Sequence, residues 1–78
     1  MPTVLRIGPY RFHFYAGDRE EPHHVHVESG SQTAKFWLEP VRLVRSSGFG
    51  SHELNHIRRL VQENQILLRR GWDEYFES

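Results

Sequence analysis

SHELNHIRRLVQENQILLRRGWDEYF, residues 51–76, is where the spacing of apolar residues changes from two to 3.6, and that change decides the fold. Leu54, Ile57, Val61, Asn64, Leu68, Gly71 or Trp72, and Tyr75 recur at three- and four-residue intervals, one stripe of an amphipathic helix. Ser51 stands as an N-cap after Gly48-Phe49-Gly50. Glu53 lies in the first turn, where the helix dipole favours a carboxylate. The spacing predicts one long helix over residues 51–76.

The same stretch contains HELNH, residues 52–56, the H-E-x-x-H pattern of zinc metalloproteases. There two imidazoles one turn apart hold the metal and the glutamate activates bound water. At about 100° per residue, however, His52 and His56 share a direction with Arg59, Glu63 and Arg70, nearly opposite the apolar stripe. With six histidines and eight glutamates in 78 residues the pattern also arises readily by chance. It reads as a solvated helix face, and metal is not expected to be needed for folding.

Upstream of the helix the period is two. Thr3 to Ile7 and Tyr10 to Tyr15 are rich in β-branched and aromatic residues and read as a hairpin closed at Gly8-Pro9. Residues 16–22, AGDREEP, are a polar turn before the alternating HHVHVE. A second turn cluster, Ser29 to Gln32, precedes a strand from Thr33 to Glu39. Pro40 interrupts that run, so Val41 to Arg45 is either a fifth strand or an extension beyond a bulge.

Composition limits what such a domain does. There are no cysteines, so neither disulfides nor thiolate metal sites support the fold, and burial of aromatics and aliphatics must. A core this small makes self-association a natural expectation, and Leu60 and Ile66 lie off the main helix stripe. Ten basic and ten acidic residues balance, which removes any bulk attraction to nucleic acid or lipid and leaves only a local patch for that purpose. No run approaches the ~18 apolar residues of a membrane span. No basic segment precedes an apolar one as in a signal peptide, so the expected location is the cytoplasm.

If Phe12 and Phe14, Val25 and Val27, and Ala34, Phe36 and Leu38 face the core, the opposite sheet face carries Arg11, His13, Tyr15, His24, His26, Lys35 and Trp37. Antiparallel pairing would set His13 opposite His26 and Tyr15 opposite His24. H-x-H on one strand is the start of a metal site, with His13 as a third ligand, but it is a low-specificity signal. Two histidines also supply a general acid and base for phosphodiester cleavage, with Arg11 or Lys35 stabilising the phosphorane charge. Trp37 and Tyr15 suit stacking on single-stranded bases. The plain alternative is a polar sheet face that docks a partner. Trp72, Tyr75 and Phe76 read as core or interface anchors.

MPTVLRIGPYRFHFYAGD (1–18), EPHHVHVE (21–28), AKFWLEPVRL (34–43), SHEL (51–54) and WDEYF (72–76) together resemble a small bacterial family, domain of unknown function 4160, over essentially the whole chain. The resemblance implies genes often found beside members of domain of unknown function 2442, an arrangement of toxin and antitoxin type. The family's H-x-H matches His24 and His26. This chain departs from the pattern at His13, His23 and His56. Those departures weaken both a three-histidine metal site and H-E-x-x-H.

The expectation is therefore a single α+β domain, residues 1–78, with a sheet part (1–45) of four or five antiparallel strands and one long C-terminal helix packed on one face. The expected function is that of a toxin-like protein acting on RNA, with His24 and His26 as acid and base. Arg11, His13, Tyr15, Lys35 and Trp37 are the expected binding residues, with no metal and no cofactor assigned. The alternative is a non-catalytic module that docks a small antitoxin-like partner or a second copy of itself.

Overall fold

The computed structural model describes residues 3–77; Met1, Pro2 and Ser78, the ends of the expected domain, lie outside the described residues. Five strands, β1 (Thr3–Ile7), β2 (Tyr10–His13), β3 (His24–Ser29), β4 (Gln32–Leu38) and β5 (Val41–Ser47), form one antiparallel sheet in sequence order. Gly8 and Gly30 take positive φ in the two tight turns that close the β1–β2 and β3–β4 hairpins, a backbone region open to glycine without strain. The fold is α+β, as the change of period requires.

The C-terminal helix is divided at Asn64 into α1 (Ser51–Glu63) and α2 (Gln65–Glu77). The Asn64 side chain donates to the Leu60 carbonyl at 2.8 Å, competing with the backbone for it, which is how asparagine interrupts helices. The apolar stripe continues across the break. Ile57 and Val61 of α1 and Leu68 and Trp72 of α2 are buried with Phe12, Phe14, Val25, Val27, Phe36 and Leu38 on one sheet face. Burial of each such side chain contributes about 1.5–3 kcal/mol. Leu60 packs against this core, whereas Ile66 and Leu67 are exposed. Among the described residues no helix is long and apolar enough to cross a membrane.

HELNH lies on the outside of α1, with His52 and His56 exposed. Its glutamate is engaged elsewhere: the Tyr10 hydroxyl donates to Glu53 Oε2 at 2.7 Å, joining the start of β2 to the first turn of α1. Burial of the phenol, then its bond to Glu53, raises the Tyr10 pKa above its usual 10.0. A raised folded pKa gives stability that is complete below the unfolded pKa and is lost as pH rises through the folded one. Tyr10→Phe is expected to cost about 1–2 kcal/mol at neutral pH and to lose less on going to about pH 11 than the wild type does. Urea unfolding at both pH values checks this; an equal alkaline loss in the two proteins rules the phenol out as its source.

Candidate functional site

Cross-strand register builds the opposite face of the sheet. His13 pairs with His26, His26 with Lys35, and Lys35 with Arg45; His24 pairs with Trp37, and Trp37 with Arg42. The His13–His26 pairing is the expected one, with the two rings stacked at 5.8 Å. Tyr15, however, does not face His24 in a ladder. β2 ends at His13, and Tyr15 leads into a short 3-10 helix, Ala16–Glu20, with its ring against His26 at 4.4 Å and against His13 at 5.0 Å.

That 3-10 helix corrects the picture of an open face. Residues 16–21 fold back over the sheet, and His13, His24 and Lys35 are buried, with His24 entirely inaccessible. Asp18 is the pin. Its Oδ2 accepts the Tyr15 backbone N–H at 2.9 Å and lies 3.0 Å from Nε2 of both His26 and His24. Glu21 accepts from the Lys35 ammonium at 2.6 Å, while the ammonium also sits 5.2 Å from the Trp37 ring. Arg11 is engaged with Glu28. Of the expected binding residues, Tyr15 is exposed, Arg11 and Trp37 are half-buried, and His13 and Lys35 are buried.

His24 is held from several sides. Its Nδ1 lies 2.9 Å from the Pro22 carbonyl, which only accepts, so Nδ1 carries a hydrogen. The ring packs on Trp72 at 4.9 Å, Trp37 at 5.8 Å and His26 at 5.1 Å. On its neighbour, His23 Nε2 reaches Asp73 on α2 at 2.8 Å. Asp73 thus ties α2 to the segment that enters β3, and Arg69 likewise reaches Glu39 at 3.0 Å.

Electrostatics follow from that packing. Burial lowers the His26 pKa; Asp18 opposes this, while His24 and His13 add to it. Burial and then the Arg11 guanidinium lower His13. For Asp18 burial works to raise the pKa, but the Tyr15 N–H and the neighbouring His24 and His26 outweigh it and hold the carboxyl below its usual range. The hydrogen bond from Lys35 does the same for Glu21, chiefly.

Two depressions open beside the cluster. One, of about 230 Å³, is lined by Tyr15, His26, Lys35 and Arg45 with the hydroxyls of Thr33, Ser46 and Ser47. The other, of about 420 Å³, is lined by His23, Trp37, Glu39 and Arg42 with two prolines. Arg42 and Arg45 are exposed and make no ion pair among the described residues. Three residues apart, they would lie on opposite faces of a regular strand. The bulge in β5, where Lys35 faces Arg45 but Phe36 faces Leu43, brings both to this face. A larger cavity of about 690 Å³ lies in the crease between α1 and α2, away from these groups.

Asp18, Arg42 and Arg45 are the site residues that sequence reasoning missed. The aspartate of a polar turn carries no periodic signal. The possibility of a bulge near Pro40 was the one trace of the arginine pair.

The chain is a five-stranded antiparallel meander backed by a broken helix, carrying a histidine–carboxylate cluster under a short 3-10 cover. A family model described as a domain of unknown function (DUF4160) matches residues 10–73, from the start of β2 into α2, and the chain belongs to that family. No curated protein and no solved structure matches it.

Proposed function

We propose that the chain is the toxin-like component of a bacterial toxin–antitoxin pair and acts on cytoplasmic RNA at the β5 side of this face. The observation that carries the reading is the local basic patch that a net charge of zero conceals: Arg42 and Arg45, both unpaired among the described residues, beside the Trp37 ring and the His26 cavity. Arginines bind successive phosphates, and an accessible tryptophan adds about 1–3 kcal/mol of stacking per base. Proton transfer falls to His26. Asp18 accepts from its Nε2, so in the neutral ring Nδ1 keeps the lone pair that would take a ribose 2′-hydroxyl proton. His24, sealed from solvent, supports Asp18 and His26 from behind; the expected acid and base are in this reading one reacting histidine and one positioning histidine.

A second reading has its own support. Leu43 on the β5 edge and Ile66 and Leu67 on α2 are exposed apolar side chains, which suits a non-catalytic module that docks a small partner of the domain of unknown function 2442 type or a second copy. Inducible expression in bacteria, with and without the neighbouring gene, tests the first reading. Growth arrest with loss of RNA integrity, relieved by the neighbour, is expected. Unchanged growth and intact RNA would overturn it.

A further inference from the structure

Asp18, His24 and His26 each offer one ligand atom, and the three atoms lie within 4.8 Å of one another, the one such set of three among the described residues. Hydrogen bonding does not account for the arrangement. His24 Nε2 is buried without a hydrogen-bond partner, although Asp18 Oδ2 is 3.0 Å away. Its Nδ1–H is given to the Pro22 carbonyl, so in the neutral ring Nε2 keeps a buried lone pair that no donor meets, with the carboxylate oxygen close beside it but off the hydrogen-bond direction. Two lone-pair donors this close in a buried site repel unless a proton or a metal ion is shared between them.

We propose that Asp18, His24 and His26 form a binding site for a divalent first-row transition-metal ion of the zinc class. The donor set, two imidazoles and a carboxylate, suits such ions. Tetrahedral ligand atoms about 2.1 Å from one ion are about 3.4 Å apart, within about half an ångström of the 3.0 Å that separates Asp18 Oδ2 from each Nε2. The surroundings are those of ligands held in place. An imidazole that binds metal through Nε2 gives its Nδ1–H to a carbonyl, as His24 does to Pro22, and the ligating carboxylate is itself hydrogen-bonded, as Asp18 is by Tyr15 N–H. His26 lines the 230 Å³ depression, which gives the ion a route in. His13, weighed as a third ligand to an H-x-H site, stacks on His26 but is not one of the three.

The site does not depend on the RNA reading, because the readout is binding itself. It does bear on it: an ion bound at His26 Nε2 would displace that ring hydrogen to Nδ1, so the Nδ1 lone pair ascribed above to proton transfer would no longer be free. Chelator-stripped protein is titrated with Zn²⁺ by calorimetry, and with Co²⁺ by visible absorption. One ion per chain is expected, with a rise in the thermal midpoint on loading. Asp18→Asn and His26→Gln are each expected to weaken binding by at least about 10-fold and to remove the rise. His52→Ala with His56→Ala should leave both readouts unchanged. If Asp18→Asn fails to fold, His26→Gln decides alone. Absence of stoichiometric binding by folded wild type, wild-type affinity in His26→Gln, or loss of binding in the His52/His56 variant would each overturn the proposal.

Discussion

Phe36→Ala is expected to lower the unfolding free energy by about 3–5 kcal/mol, the range for removing a fully buried phenylalanine. Phe36 has no accessible surface and stands on β4, between Val25 of β3 and Leu43 of β5, beneath the helices. The strands on either side are tied in register, so the sheet cannot close over the missing ring and a cavity remains. Domains of this size have about 4–12 kcal/mol in total, at roughly 0.05–0.15 kcal/mol per residue. The thermal midpoint should therefore fall by about 12–40 °C, at 4–8 °C per kcal/mol. Leu43→Ala, the cross-strand neighbour at 43% exposure, should change stability by less than about 1 kcal/mol. Denaturant unfolding of both variants makes the comparison. A Phe36→Ala cost no larger than that of Leu43→Ala would mean the sheet does not bury its Phe12–Val27–Phe36 face against the helices.

That face was the part of the fold most legible in the sequence. Alternation in FHF, HVHV and AKFWL and the three-four stripe from Leu54 to Trp72 record which side meets the core, because burial acts on each residue in turn. The opposite face was legible only as a set of residues. Register and strand number gave His13 opposite His26, but nothing local says that residues 16–21 fold back onto the face they leave. Their return depends on Asp18 and Glu21 meeting His24, His26 and Lys35, contacts between 6 and 14 residues apart with no period to reveal them. The β5 bulge was similarly hidden, since one extra residue in a strand reverses the face of everything beyond it. Asn64 sat within the apolar stripe, and its break follows from side-chain competition for the Leu60 carbonyl, not from spacing.

His26→Ala is expected to lower RNA cleavage by purified protein on the order of 10²-fold or more, with RNA affinity nearly unchanged. His26 reaches the depression that Arg45 also lines, so a phosphate held by the arginine would bring its ribose toward the imidazole. Arg42→Ala and Arg45→Ala should do the reverse, weakening affinity and reducing its salt dependence while leaving turnover of bound RNA largely intact, because arginine–phosphate contacts position the strand and release counterions. Trp37→Ala should weaken single-stranded RNA by about 1–3 kcal/mol without regard to sequence. His24→Ala opens a void beneath Trp37 and Trp72, so its effect on cleavage is read only after its melting curve. The assays run on chelator-stripped and zinc-loaded protein. If neither form of the wild type cleaves RNA at any pH tested, while a protein partner binds and is lost on Trp37→Ala or Leu43→Ala, the RNA reading fails and the docking module stands, since large aromatic and aliphatic anchors dominate such interfaces.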